Sequence, residues 1–397
     1  MGKSVKIGLF GFGVVGQGLY KVLSQSTGIN AEIKKIAVKN REKKRSLPAK
    51  HFTFDAEEIL FDDEINLIVE LIDNAEDAYK IITTALKNGK NVVTANKKLL
   101  AENFEELVNL QLETGKSILY EASVCAGIPI IRTIEEYYVS ELLYSVEGIF
   151  NGSSNYILSK MQSESLEYSE ALKQAQELGF AESNPKLDVE GFDAKFKLII
   201  LAAHSFGVYI HPEKIFNYGI AGISSFDIQF AKEKNWKIKL MSRVFKNSDN
   251  TISMYVIPEF VNQQSNLFLV DQEFNGVIVE AAFSDRQFYS GKGAGGYPTG
   301  SAVLSDIAAN AYDYKYEYHK THKELQYSYS NDIYLTTYVR FIKDLTISEY
   351  FEAVHQKFEN PDNKYVIGKI SITALSKLLT DHKEDIQFIC NIGENII

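Results

Sequence analysis

The sequence predicts an α/β protein with a doubly wound parallel sheet at its N terminus, an α+β second domain and a small C-terminal α/β tail. Three observations carry that expectation. An apolar run from Val5 to Phe10 turns on Gly11 and Gly13 and gives way to helical apolar spacing. Strand-like and helix-like segments then alternate as far as Ser123, the pattern that builds a parallel sheet with helices on its faces. Beyond residue 130 the rhythm changes, and runs of strand character read as antiparallel neighbours.

Taken in order, the first strand is followed by a helix with Val14, Val15, Leu19, Val22 and Leu23 on one stripe. A second strand reads from "EIKKIAVKN" and a third from "INLIVELI". A helix follows in "EDAYKIITTALKNGK", ending at Gly89, then a fourth strand in "NVVTAN". Helix "ENFEELVNLQLETGK" and strand "SILYEAS" complete the first domain, placed at residues 1–130. In the second domain, residues 131–290, long helices are expected at 130–142 and 166–179. Strands are expected in "LLYSVEGIFN", "TISMYVIPEFV", "NGVIVEAAFSD" and "RQFYSGKG". The Tyr-rich stretch from about residue 312 reads as a linker, leaving residues 325–397 as the tail.

A chain of 397 residues is too long for one ordinary core. With 45% hydrophobic and 24% charged residues, it has the composition of a soluble globular protein. The net charge of -10 argues against a nucleic-acid partner, since such proteins concentrate basic charge. Cys125 and Cys390 are too few for a disulfide framework and wrongly spaced for zinc, which suggests a reducing compartment. No apolar run approaches the length of a membrane span, and the N terminus has neither signal-peptide nor myristoylation character. The expected location is the cytoplasm, with no membrane partner.

"GFGVVG" sets Gly11, Gly13 and Gly16 at dinucleotide spacing, with Phe12, Val14 and Val15 between them. The first glycine permits the turn, the second lets a pyrophosphate approach the backbone, and the third admits close helix packing. Unpaired N–H groups of the helix N terminus would face the phosphates. The first domain is therefore expected to be Rossmann-type, against the plainer reading of a glycine turn without a ligand. In "VKNREKKR" no acid stands where NAD selection would place one, and Lys39 and Arg41 could pair with a 2′-phosphate. NADP is expected over NAD, which stays open, and a solvated basic turn is the alternative. "GKNVVTANKKLLAEN" places Thr94, Asn96, Lys97 and Lys98 at the carboxyl edge of the sheet. Thr94 and Lys97 are candidate contacts to cofactor or substrate there, although lysines after strands commonly just meet water.

"NPKLDVEGFDAKFK" crowds Asp188, Glu190 and Asp193 together and follows them with Lys197. Asp193 and Lys197 are four apart and share a helical face. On an exposed helix such a pair is worth roughly a few tenths of a kcal/mol. On this nearly all-apolar helix, desolvation would disfavour the charged lysine while Asp193 would favour it, a combination that can make a proton donor. Both readings stand on the bare residues.

At these residues the chain resembles the homoserine dehydrogenase family. Ala175, Gly179, Ala181, Asn184, Pro185, Asp188, Gly191, Asp193 and Lys197 fall in the register of that family's hallmark. "GFGVVG", "TANK", "EASVCAGIPII", "FNGSSNYIL" and "GKGAGGYPTGSAVLSD" follow in family order, so the resemblance covers residues 5 to about 312. It implies reversible NAD(P)H-dependent reduction of L-aspartate 4-semialdehyde to L-homoserine, on the route to threonine, isoleucine and methionine. Lys197 would be the general acid and base, and Asp193 would help orient substrate. Glu182 would take the substrate amino group with Asp188 nearby, and Lys97 would close the site from the cofactor side.

The resemblance also implies a catalytic and dimerisation role for the second domain, and hence a homodimer. Glu121, Val124, Ala126 and Ile128 would bind sodium or another monovalent cation, with ordinary backbone packing as the plainer reading of that loop. Residues of about 291–315 would return to the cofactor domain, Gly293 and Gly295 allowing close approach to nicotinamide or substrate. Some positions depart from the family. Asp73 and Asn74 stand where relatives often have glycines, and Cys125 where a small residue is common. The tail is short and lacks the usual Pro-Gly turn, which tells against threonine feedback. His319 and His322 are expected to be solvated.

Overall fold

The computed structural model describes residues 3–321, 327–342 and 346–393. His322 and residues 325–326, 343–345 and 394–397 of the expected tail lie outside the described residues. Two compact units divide the chain, residues 1–140 with 292–322 and residues 141–291 with 323–397. In the first, β1 (Val5–Phe10) leads through the glycine turn into α1 (Val14–Gln25) and β2 (Ala31–Ala37). Then come β3 (Phe52–Thr53), α2 (Glu57–Leu60), β4 (Leu67–Glu70), α3 (Ala75–Lys87), β5 (Asn91–Thr94), α4 (Lys97–Thr114) and β6 (Ile118–Leu119).

These six strands are parallel, in the order β3-β2-β1-β4-β5-β6. Ile7, Leu9, Leu67, Ile68, Val69, Val92 and Val93 are fully buried, as a sheet covered on both faces requires. The order reverses between β1 and β4, which leaves a crevice at their carboxyl ends where open parallel sheets take ligands. Phe10 lies opposite Ala37 and Glu70, and Glu70 opposite Thr94, so these strand ends stand level along one edge. Asn74 begins α3 by accepting a bond from Asp77 N, with Glu76 and Asp77 suitably placed for the positive helix end. This capping role gives a local reason for Asn74.

A short α5 (Ile130–Arg132) passes into a wider turn over Thr133–Tyr137, closed by Tyr138 N on Thr133 O at 3.2 Å. The expectation of a long helix over 130–142 is thereby corrected. Ile130, Ile131, Ile134 and Tyr138 are buried at helical spacing, but a five-residue turn satisfies the same spacing. The described part of the Tyr-rich stretch up to Thr321 is not a linker either. Tyr316 and Tyr318 are buried in the first unit beside Tyr120 and Phe104, and the Tyr120 and Tyr318 hydroxyls meet at 3.1 Å.

The second unit begins with β7 (Leu143–Ile149), α6 (Gly152–Glu164), α7 (Tyr168–Glu177), α8 (Lys186–Val189), α9 (Phe192–Phe206), β8 (Phe216–Asn217) and α10 (Ser225–Glu233). β9 (Lys237–Lys246), β10 (Thr251–Val261), β11 (Phe274–Ala281) and β12 (Asp285–Lys292) follow. The chain then passes through α11 (Gly296–Asn310), which belongs to the first unit. There it lies so close to α1 that a Cβ on Gly18 would sit 1.9 Å from Gly296 O. It returns as β13 (Ser328–Tyr329), β14 (Tyr334–Phe341), β15 (Ala353–Glu359), β16 (Lys364–Ser371), α12 (Ile372–Asp381) and β17 (Ile386–Ile392).

The second unit's sheet runs β12-β11-β7-β9-β10-β17-β14-β16-β15, with β8 and β13 as short additions to β10. The tail strands thus continue this sheet. Arg340 of β14 donates to both carboxylate oxygens of Asp227 on α10, at 2.8 and 2.9 Å, and the Tyr338 hydroxyl donates to the same acid at 2.9 Å. α9 packs against β7, β9 and β10, and every residue from Asp193 to Phe206 is buried.

Candidate active site

Within the second unit, the β7–α6 junction meets the start of α9. Gly191 precedes α9 with φ 83°, a left-handed conformation that suits glycine, and the helix therefore begins at Phe192 with Asp193 in its first turn. Lys197 follows one turn later, and its Nζ lies 2.8 Å from Asp193 Oδ2. Both residues are buried. The same ammonium donates to Phe150 O at 2.7 Å. Of the two readings open on the sequence, the exposed helix pair is therefore excluded.

Asn151, which the sequence reading did not single out, joins this cluster. Its Nδ2 donates to Asp188 Oδ1 at 2.7 Å and to Asp193 Oδ2 at 2.9 Å, while its Oδ1 caps α6 by accepting from Ser154 N at 2.7 Å. The available signal was local: asparagine ahead of Gly-Ser-Ser in "FNGSSN" is a helix-start pattern. Glu182 stands exposed, outside this network, on the loop leading to α8. Lys195 faces elsewhere. Its Nζ donates to Asn217 Oδ1 at 2.7 Å, and burial pushes its ammonium down to about 8. The cluster can hold a buried ammonium at a fixed point between a carboxylate and a carbonyl, with a second carboxylate tied to the first.

In the first unit, the glycine turn lies at the β1 edge. Gly11 has φ 95°, and a Cβ there would meet Leu71 O at 2.5 Å; a Cβ on Gly16 would meet Gly11 O at 2.5 Å. Gly13 is different, because a Cβ there would meet no protein atom within 4 Å. Its φ of -81° does not require glycine either. The open space beside it fits a group that must approach the backbone, as a cofactor pyrophosphate does. Phe12 is buried edge-on against Phe52, Val15 is half-buried, and Val14 remains 71% exposed at the start of α1.

At the end of β2, Lys39 pairs with Asp77, and the Arg41 guanidinium lies 4.7 Å from the Phe54 ring centroid. Lys97 is the first residue of α4 and is half-buried. The Thr94 hydroxyl turns inward to Glu70, at 2.5 Å. Gly295 precedes α11 with φ 113°, and Gly293 is buried.

The loop after β6 is irregular. Both oxygens of Glu121 accept backbone N–H groups, from Ile131 and Arg132, at 2.8 Å. Ala126 has φ 37°, and Ile128 N closes on Cys125 O at 2.9 Å. Cys125 and Cys390 are free and buried. The Glu121 carboxylate and the backbone carbonyls of Val124, Ala126 and Ile128 offer oxygen donors only, the donor chemistry that suits a hard cation. His319 is exposed, and among the described residues no group of three or more His, Cys, Asp or Glu side chains could hold a metal ion.

Residues 11–121 match the family model described as "Homoserine dehydrogenase, NAD binding domain", and residues 129–308 match "Homoserine dehydrogenase". A homoserine dehydrogenase of Bacillus subtilis (strain 168) is 38% identical over 316 residues, covering 77% of this chain and 73% of that protein. A crystal structure of a homoserine dehydrogenase from Thiobacillus denitrificans superposes with a TM-score of 0.85 at 26% identity, covering 98% of each chain. A hyperthermophilic archaeal homoserine dehydrogenase in complex with NADPH superposes with a TM-score of 0.68 at 26% identity, covering 79% of this chain and 99% of that one.

Proposed function

The chain belongs to the homoserine dehydrogenase family, and on that premise we propose that Lys197 is its general acid and base. The family's reaction, reversible reduction of L-aspartate 4-semialdehyde to L-homoserine with a nicotinamide cofactor, is the activity of this chain. It places the enzyme in threonine, methionine and isoleucine biosynthesis. The observation that carries the Lys197 assignment is its buried ammonium between Asp193 Oδ2 and Phe150 O. When bound, the nicotinamide supplies or accepts the hydride. As negative charge grows on the aldehyde oxygen, the Lys197 ammonium stabilises it and hands over a proton; in the oxidation direction the neutral amine takes the hydroxyl proton back.

Asp193 holds Lys197 in place and helps orient substrate, while Glu182 and Asp188 take the substrate amino group. Lys97 closes the site from the cofactor side. Replacing Lys197 by Ala should leave cofactor affinity nearly unchanged while lowering kcat by about 10²–10⁴. Steady-state assay with homoserine and NADP⁺, beside a cofactor titration, measures both; full turnover in the variant would refute the assignment.

NADP is preferred over NAD, supported by Lys39 and Arg41 in a segment with no acid between Val38 and Arg41. The phosphates lie along Gly11, Phe12, Gly13, Val14, Val15 and Gly16, with Thr94, Lys97, Gly293 and Gly295 toward the nicotinamide. Glu121, Val124, Ala126 and Ile128 hold a monovalent cation, which their oxygen-only character suits. The enzyme is a homodimer, supported by Leu142, Tyr144, Phe283 and Phe288, which are exposed on and around β7 and β12 of the second unit. It works in the cytoplasm, in keeping with two buried free cysteines. No helix of the described residues is long and apolar enough to cross a membrane.

A further inference from the structure

We propose that Glu70 is a positioning residue whose carboxylate closes a ring of four hydrogen bonds and thereby holds the turn that presents Lys97 to the reaction. The proposal rests on the reading of Lys97 given above. Glu70 ends β4 beside the point where the strand order reverses, and it is fully buried. Its Oε1 accepts Ile72 N at 2.6 Å and its Oε2 faces the Thr94 hydroxyl at 2.5 Å. Thr94 Oγ1 in turn accepts Asn96 N at 3.0 Å, and Asn96 Nδ2 donates to Ile72 O at 3.1 Å. The path Glu70–Thr94–Asn96–Ile72–Glu70 is closed.

What the ring holds is specific. Asn96 is the N-cap of α4, its Oδ1 accepting Leu99 N at 3.1 Å, so fixing Asn96 fixes the first turn of the helix and Lys97 at its first position. The ring also ties this turn to Leu71 and Ile72, the segment on which Gly11 rests, since Leu71 N donates to Phe10 O at 2.8 Å. One buried acid thus joins the glycine turn to the Lys97 turn. A carboxylate without solvent is an expensive choice for a purely structural brace, and two donors from different segments converging on it account for its placement.

Burial pushes the Glu70 carboxyl up to about 7. A neutral carboxyl can keep the ring by donating to Thr94, whose hydroxyl then turns away. The amide of a Glu70→Gln variant can do the same. Glu70→Leu cannot, and neither can Thr94→Val, which nearly conserves volume. Thr94→Ser retains the hydroxyl.

The test uses these five proteins, the parent chain included, and a Lys97→Ala background. Amide hydrogen exchange at Ile72 and Asn96 reads the ring, NADPH titration reads cofactor affinity, and steady-state kinetics read turnover. Thr94→Val and Glu70→Leu should speed exchange at both amides by about tenfold or more. They should lower kcat by about tenfold to a hundredfold, since slight misplacement of a reacting group is costly, with NADPH affinity in Glu70→Leu held within about threefold. Glu70→Gln should stay within about threefold of the parent in all readouts, and Thr94→Ser, which keeps the hydroxyl, should keep the parent's slow exchange at both amides. With Lys97→Ala present, Thr94→Val should cost almost nothing further in kcat, because both changes act through one side chain.

Unchanged exchange in Thr94→Val, unchanged kcat despite faster exchange, or a full additional loss in the Lys97→Ala background would each overturn the proposal. If Glu70→Leu does not fold, Thr94→Val alone decides. Failure of the parent enzyme to oxidise homoserine would strike the functional reading instead, and with it the Lys97 role; turnover with additive losses would strike only the ring.

Discussion

Asn151 spends both ends of its amide inside the second unit, one on capping α6 and the other on bridging Asp188 and Asp193. Two carboxylates facing one NH2 group repel less than two facing each other, so the amide sets the spacing from which Lys197 is held. Replacing Asn151 by Ala should lower unfolding free energy by about 1–3 kcal/mol and reduce kcat, because Asp193 would no longer be anchored. Denaturant melts and homoserine kinetics measure the two effects.

Glu70 makes a different residue-scale prediction. Its folded-state carboxyl titrates at about 7, raised from 4.5 chiefly by burial, against opposing bonds from Thr94 and Ile72. Between those values the folded chain holds a proton that the unfolded chain has lost. Its contribution to stability is therefore full below about 4.5 and is lost as pH rises through about 7, by on the order of 3 kcal/mol. Denaturation at about pH 5 and about pH 8 should show this slope in the parent and a flatter one in Glu70→Gln.

At the scale of elements, α9 depends on its left-handed start. Gly191→Ala would force a Cβ into φ 83° and within 3.3 Å of Val256 Cγ1. The expected loss is about 1–3 kcal/mol, read as a lower melting temperature, and it should weaken catalysis because Asp193 lies in that first turn. The parallel sheet was legible because β1, β4 and β5 are short apolar runs between turn residues, and α9 because its apolar stretch has so few interruptions. β9 escaped notice. Ile238, Leu240 and Val244 alternate with Lys237, Lys239 and Arg243, but Met241 and Ser242 break the pattern between them, and only the folded chain shows Lys239 buried against Asn155, Val270 and Asp271. α6 was hidden for a like reason, with Ser154, Asn155 and Ser159 all buried. α4 was read from Glu102 onward, yet it starts at Lys97 and is kinked at Asn103. The candidate site followed the same rule: Asp188, Asp193 and Lys197 are close in sequence and were legible together, whereas Asn151 meets Asp188 and Asp193, and Glu70 meets Thr94, only through tertiary structure.

At the scale of the molecule, the tail is tied to its unit by a buried ion pair, Arg340 with Asp227, both almost without solvent. Replacing Asp227 by Ala would strand a guanidinium in the interior and should cost about 3–5 kcal/mol. Exchanging the pair for two apolar residues, Asp227→Leu with Arg340→Met, should cost less than the single change. Urea unfolding of the whole chain distinguishes the two.

The second side of β10 is covered piecemeal. β13 pairs at Thr251–Ile252, β8 at Tyr255–Val256 and β17 at Glu259–Phe260. During synthesis, then, a ribosome must deliver residues 386–392 before the last stretch of that margin is sealed. Until it does, the nascent chain carries an open strand that neighbouring polypeptides can pair with. Products terminated before residue 386 should accordingly be sticky and short-lived, and chaperone demand should persist until β17 has emerged.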